Sequence, residues 1–223
     1  MWFWPKKQVS SLAVKLPREE LVRRSRILII DDEPLDLVRD LKKARFAVEQ
    51  VTDIDSNNFD MVDRPIFDLI LLDFGKVGKH FGEDEGLSLL RHIKRVNPAV
   101  VVLAYTSKAL RSEHADFYRL ADGVLAKDAG ITESMEKIEE GLRKAHSLLN
   151  VWSGLLAVCD IKPGAKEDLE MQDLFVRGLN KQSKIRQLRG QIVSMLSSEE
   201  AQKIGLLLLT KAVELGIKSS IGG

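Results

Sequence analysis

Apolar residues along this chain follow two rhythms, and the change between them divides the sequence. The first is a series of short unbroken runs: Ile27-Leu28-Ile29-Ile30, Leu69-Ile70-Leu71-Leu72 and Val100-Val101-Val102-Leu103-Ala104. Runs of this length read as strands buried on both faces of a parallel sheet. Phe46 to Val51 predicts an edge strand, and Gly123-Val124-Leu125-Ala126 a short final one. Between them Leu35, Val38 and Leu41, then Leu87, Leu90 and Ile93, then Leu110, Phe117 and Leu120 recur at helical spacing. The second of these helices must end before Pro98. Strands alternating with helices predict a doubly wound α/β domain of five parallel strands over residues 26–148.

The second rhythm begins at Ile131. Ile131, Met135, Ile138, Leu142, Ala145, Leu149, Trp152, Leu156 and Cys159 alternate steps of four and three, a heptad seam predicting one long helix over 131–159. Two readings fit it. In one, the first half packs on the sheet and the rest on C-terminal helices; in the other, the helix also pairs between subunits as a homodimer. Pro163-Gly164 breaks the pattern, and an all-α module of two or three amphipathic helices follows, so that residues 149–223 form a helical C-terminal module. Ile185, Leu188, Ile192 and Met195 make one stripe, and Ala201, Ile204, Leu208 and Leu215 another. Ser197 with Glu200 predicts a capping box, and Gly216-Ile217 a helix C-cap. Residues 1–25 read as an extension in which Trp2, Phe3 and Trp4 are candidates for docking on a partner or on the chain's own body, or for lying at a membrane interface, and Pro17 opens a short helix with Glu19 and Glu20 in its first turn.

Composition narrows the function classes. The chain is 44% hydrophobic and 30% charged with a formal net charge of +1, which suits a globular protein and gives no general electrostatic case for nucleic acid or anionic membrane. From Asp160 onward ten Lys/Arg face eight Asp/Glu, a weak basic bias for a DNA-reading module. No run reaches the length of a membrane span, and the aromatic N-terminus precedes its charges, the reverse of a signal peptide. The lone Cys159 fits a reducing, cytoplasmic setting and a core position. His80, His92, His114 and His146 share no ligand spacing.

The chemistry collects at the strand ends. Asp31 and Asp32 follow the first strand, Asp73 the third, Thr106 ends the fourth and Lys127 follows the fifth. Groups just past the carboxyl ends of parallel strands lie where open α/β sheets hold ligands. Converging carboxylates repel unless a cation intervenes. An oxygen-only set of this kind suits Mg²⁺, which binds through one or two carboxylates and keeps several waters. Lys127 offers phosphate a fixed positive charge and Thr106 a donor, the equipment of phosphoryl transfer.

The order strand–Asp-Asp, strand–Asp, strand–Thr, strand–Lys resembles the receiver domain of two-component response regulators across about 120 residues, as the spacing of those motifs sets it. The resemblance implies the strand order 2-1-3-4-5. It implies Asp73 as phospho-acceptor, with Asp32, Asp73 and the Gly75 carbonyl holding Mg²⁺ and Asp31 assisting. Thr106 would bond the phosphoryl group and Lys127 would pair with it. The partners implied are a histidine kinase or phosphotransfer protein, and a protein target for the C-terminal helices. Such a protein has no enzymatic activity beyond its own phosphorylation and dephosphorylation.

The sequence departs from the family pattern at three places. Val124 stands where an aromatic switch residue is usual, Asp128 where proline usually follows the lysine, and the loop from Asp73 to Glu85 is long and carries Lys76 and Lys79. Tyr105 is a candidate for the coupling role that Val124 cannot fill. A non-switching interaction module with a receiver fold is the competing reading, and a DNA-binding regulator a weaker one. A phosphatase with an aspartate nucleophile would want a second acid two residues after Asp73, where Gly75 stands.

Overall fold

The computed structural model describes residues 9–12, 16–64, 66–107 and 114–221. They form two compact units. One runs from Leu16 to Ala145, and the other joins the segment around Val9–Leu12 to the residues from His146 onward. Of the described residues before Arg26, Val9–Leu12 group with the second unit and residues 16–25 with the first. Trp2, Phe3, Trp4 and Leu110 lie outside the described residues.

The first unit contains five strands, β1 (Arg26–Ile30), β2 (Ala47–Val51), β3 (Leu69–Leu72), β4 (Val101–Thr106) and β5 (Gly123–Ala126). All pair in parallel, in the order β2-β1-β3-β4-β5. Their side chains alternate between two cores, as a strand's two-residue period requires. Ile27, Ile29, Leu69, Leu71, Leu103 and Tyr105 face one side. There they meet Leu21 of α1 (Arg18–Arg24), Leu37 and Leu41 of α2 (Asp36–Lys43), and Ile138 and Leu142 of α6 (Ile131–Ala145). Leu28, Ile30, Ile70, Leu72, Val102 and Ala104 face the other. That side is covered by α3 (Asp60–Asp63), α4 (Gly86–Val96) and α5 (Ala115–Leu120), through Val62, Leu90, Ile93 and Phe117. Ile30 and Leu72 are fully buried; cutting either to alanine costs about 2–5 kcal/mol.

Register places the chemistry. Ile30 is level with Leu72, so the next residues, Asp31 and Asp73, leave the sheet side by side. Leu72 is level with Ala104, and β4 continues to Thr106, which is level with Ala126. Lys127 follows at once, its amide donating to the Thr106 carbonyl at 2.8 Å.

The heptad seam is not one helix. α6 stops at Ala145, and α7 (Leu148–Val158) starts afresh with Ser147 as its cap, whose hydroxyl accepts from the Asn150 amide at 3.1 Å. Ile138, Leu142 and Ala145 bury against the sheet, while Ile131 and Leu149 are exposed. The continuous 131–159 helix is thereby corrected: a serine at the junction satisfies the new helix's amides and interrupts the old one.

The second unit contains α7, α8 (Lys166–Gly178), α9 (Gln182–Met195) and α10 (Glu199–Ile221). Val9–Leu12 forms a 3₁₀ turn that packs on α7 and α10, with Val9 and Leu12 buried and the Val9 amide donating to Gln172 Oε1 at 3.1 Å. Asp168 is buried and accepts from Trp152 Nε1, Gln172 Nε2 and the Gly164 amide. Two local expectations change. Ser198, not Ser197, caps α10 by accepting from the Ala201 amide, and Gly216 lies inside that helix. A Cβ at Gly216 would stand 2.8 Å from Leu179 Cδ2 and 3.0 Å from Phe175 Cζ, so this glycine makes room for neighbours instead of ending a helix. No helix of the described residues is long and apolar enough to cross a membrane.

Candidate functional site

The carboxylates of Asp31, Asp32 and Asp73 bring one oxygen each within 4.8 Å of one another. Asp31 is fully buried; its Oδ1 accepts from the Glu33 amide at 3.1 Å, which fixes the turn out of β1. Asp73 keeps 16% side-chain exposure, and its Oδ1 accepts from the Phe74 amide at 2.8 Å. Lys127 Nζ lies 2.6 Å from Asp31 Oδ2 and 3.2 Å from Asp73 Oδ2, joining two strand ends through one ammonium group. The same Nζ stands 5.6 Å from the centre of the Tyr105 ring. Tyr105 is thus buried beneath the lysine, while Val124 lies on the opposite face of the sheet.

These contacts shape the titration of the groups. Burial pushes the Asp73 carboxyl above the ordinary aspartate value, with Asp31 adding to the rise and Lys127 opposing it. Burial would lower the Lys127 ammonium, but the bond to Asp31 and the charge of Asp73 carry it above its ordinary value. Its charge is therefore fixed at neutral pH. Asp32 is held below the usual carboxylate value by its hydrogen bond to Lys76, against the effect of burial.

A cleft of about 380 Å³ opens over the cluster, with Asp32, Asp73, Gly75, Lys76, Thr106 and Lys127 on its walls. The site residues expected from the strand ends come together here, with Asp31 buried beneath its floor. Two further residues join the site that the strand ends alone did not place there. His114 lines the same cleft with its ring centre 3.7 Å from that of Phe74. Lys76, in the loop after Asp73, bonds Asp32 Oδ2 at 2.8 Å. Long loops reach back to a site by conformation, not by periodicity. His92, by contrast, pairs with Asp63 at 2.6 Å.

Three convergent carboxylates form an oxygen-only donor set, the kind that hard divalent cations take. Among the described residues no other group of three or more His, Cys, Asp or Glu side chains gathers this way. The set fits a divalent cation.

No sequence-family model matches the chain, and a search of curated proteins finds no match. Solved structures similar to it include a CheY-like response regulator receiver domain protein from Methanospirillum hungatei JF-1, at 22% identity and TM-score 0.44, covering 54% of this chain and 95% of that one. A response regulator from Burkholderia pseudomallei, solved with a phosphorylated aspartic acid, calcium ion and citrate, is 23% identical at TM-score 0.42 and covers 61% and 84%. A response regulator from Thermotoga maritima is 18% identical at TM-score 0.44 and covers 53% and 97%. The parallel order β2-β1-β3-β4-β5, with helices on both faces, independently defines the unit Leu16–Ala145 as a flavodoxin-like, doubly wound fold with acids at the carboxyl ends of β1 and β3. A helical unit accompanies it.

Proposed function

We propose that this chain is a response regulator whose receiver unit accepts a phosphoryl group on Asp73 and thereby alters the protein interactions of its helical unit. The observation that carries this reading is the single ammonium of Lys127 lying between Asp31 and Asp73, in the wall of the cleft that Asp32 also lines. An Asp73 oxygen attacks the phosphorus of a phosphohistidine on a kinase or phosphotransfer protein, or of a small acyl phosphate. The new O–P bond forms as the P–N or P–O bond breaks, and the leaving group departs with its electron pair.

Asp32 and Asp73, with the Gly75 carbonyl, would hold Mg²⁺, and Asp31 would assist. A bound Mg²⁺ supplies charge neutralisation for the phosphoryl oxygens. The protein's own residues do the rest. Lys127 pairs with the developing charge, and the Thr106 hydroxyl, at the end of β4 in the cleft wall, donates to the bound group. That bond is present only in the phosphorylated form, so it biases the conformational equilibrium. Buried Tyr105, beneath Lys127, is an aromatic candidate for relaying the change, since Val124 has no ring to move.

Intact mass measured after incubation with acetyl phosphate and Mg²⁺ tests the reading. One phosphoryl group is gained by the wild type, and none by Asp73→Asn or in the presence of EDTA. Labelling of Asp73→Asn equal to wild type would sink it.

Val124 and Asp128 favour a second reading, a receiver fold that binds its partner without switching. Partner affinity measured with and without beryllofluoride separates the two, because equal affinities mean no switch.

A further inference from the structure

We propose that Lys76 is a tethered counter-ion of the acidic cluster, which competes with a divalent cation for Asp32 and so sets how readily the site loads. This inference rests on the reading of Asp31, Asp32 and Asp73 as a divalent-cation site.

The contacts divide the cluster between two lysines. Lys127 holds Asp31 Oδ2 and Asp73 Oδ2, and Lys76 holds Asp32 Oδ2. With all five groups ionised, three carboxylates and two ammonium groups leave one net negative charge. A divalent cation entering that arrangement leaves the cluster positive, whereas without Lys76 it would leave the cluster neutral. Asp32 is the most exposed of the three acids, at 26% for its side chain. It is therefore the carboxylate an arriving ion meets first, and it already has a cation on it.

An exposed lysine beside an acid is ordinarily worth little, because both side chains are free to separate. Here the loop fixes where Lys76 starts from. Its backbone sits at φ 61°, in the left-handed region that non-glycine residues seldom occupy, and its amide donates to Glu85 Oε2 at 2.8 Å. On either side, the Gly86 amide bonds the Phe74 carbonyl at 3.1 Å and the Gly78 amide bonds Asp53 Oδ1. The loop is closed at three points around Lys76, and its side chain bridges to the turn after β1. Lys79, in the same loop, is exposed and lines no part of the cleft.

Calorimetric titration of the full chain with Mg²⁺ tests the inference. Removing one positive charge from beside a divalent ion should raise its affinity roughly three- to tenfold, so Lys76→Met binds more tightly than wild type by that factor. Lys76→Arg stays close to wild type, and Lys79→Met changes by less than about twofold, the weaker effect expected of a screened and more distant charge. The advantage of Lys76→Met shrinks as salt is raised. Equal affinity for Lys76→Met and wild type overturns the tether, as does an equal gain in Lys76→Met and Lys79→Met. Asp32→Asn reports on the underlying site: binding that survives it undiminished, or no binding in any variant, overturns the cation site itself.

Discussion

At the scale of the residue, the acid that makes the site useful is a burden on the fold. Burial raises the Asp73 carboxyl above its ordinary value, so the folded state holds that proton more tightly than the unfolded chain does. The resulting penalty is absent when both states are protonated. It grows as pH rises from the unfolded value, near 3.9, through the folded one, and is fully present above it. Asp73→Asn should therefore be more stable than wild type at pH 7, and the difference should fade toward pH 3 in urea denaturation. Stability lost at pH 7 would show that the pairing with Lys127 outweighs burial. The neighbouring residues divide by how they reach the site. Asp31, Asp32, Asp73, Thr106 and Lys127 were legible in the sequence because each sits at or just beyond the end of an apolar run, and the register of a parallel sheet does the rest. Lys76 and His114 were not. The first depends on a positive φ in a long loop, and the second on ring packing against Phe74.

At the scale of the element, the loop after β3 is shaped as much by space as by bonds. A Cβ on Gly86, the first residue of α4, would lie 2.6 Å from the Asp73 carbonyl oxygen and 2.7 Å from that of Phe74. Backbone cannot yield as a flexible side chain can. Gly86→Ala should cost about 1–3 kcal/mol by overpacking, and should also slow acetyl-phosphate labelling by displacing Asp73. Denaturation and labelling rates check both effects. Strands, their order and the two-sided core were readable because continuous apolar runs permit few arrangements. The 131–159 helix was misread because a heptad is satisfied equally by one long helix and by two helices in phase. What separates them is a single capping hydroxyl, on Ser147. Gly216 was misread for a related reason: a glycine near the end of an apolar stripe signals a helix stop, unless a side chain from another helix needs its place.

At the scale of the molecule, the helical unit draws on chain from both sides of the sheet. Val9 and Leu12 are buried with α7 and α10, although the whole of Leu16–Ala145 lies between them in sequence. Replacing both with alanine should cost the helical unit about 3–5 kcal/mol, from two vacated core positions. Amide hydrogen exchange should locate the loss in α7 and α10 and leave α4 as protected as before; equal loosening of α4 would mean that the two units do not open separately. The threading also bears on how such a protein is built and how it changes over time. On the ribosome, the 3₁₀ turn emerges before the α/β unit and must wait for about 130 residues of it before the helices it belongs with exist, a long closure of low entropic cost per added residue. In a gene, a helical module that simply follows an α/β unit can be exchanged by one recombination event. Here one junction would strand Val9 and Leu12 with the old α/β unit, so an exchange that preserves the helical core needs two.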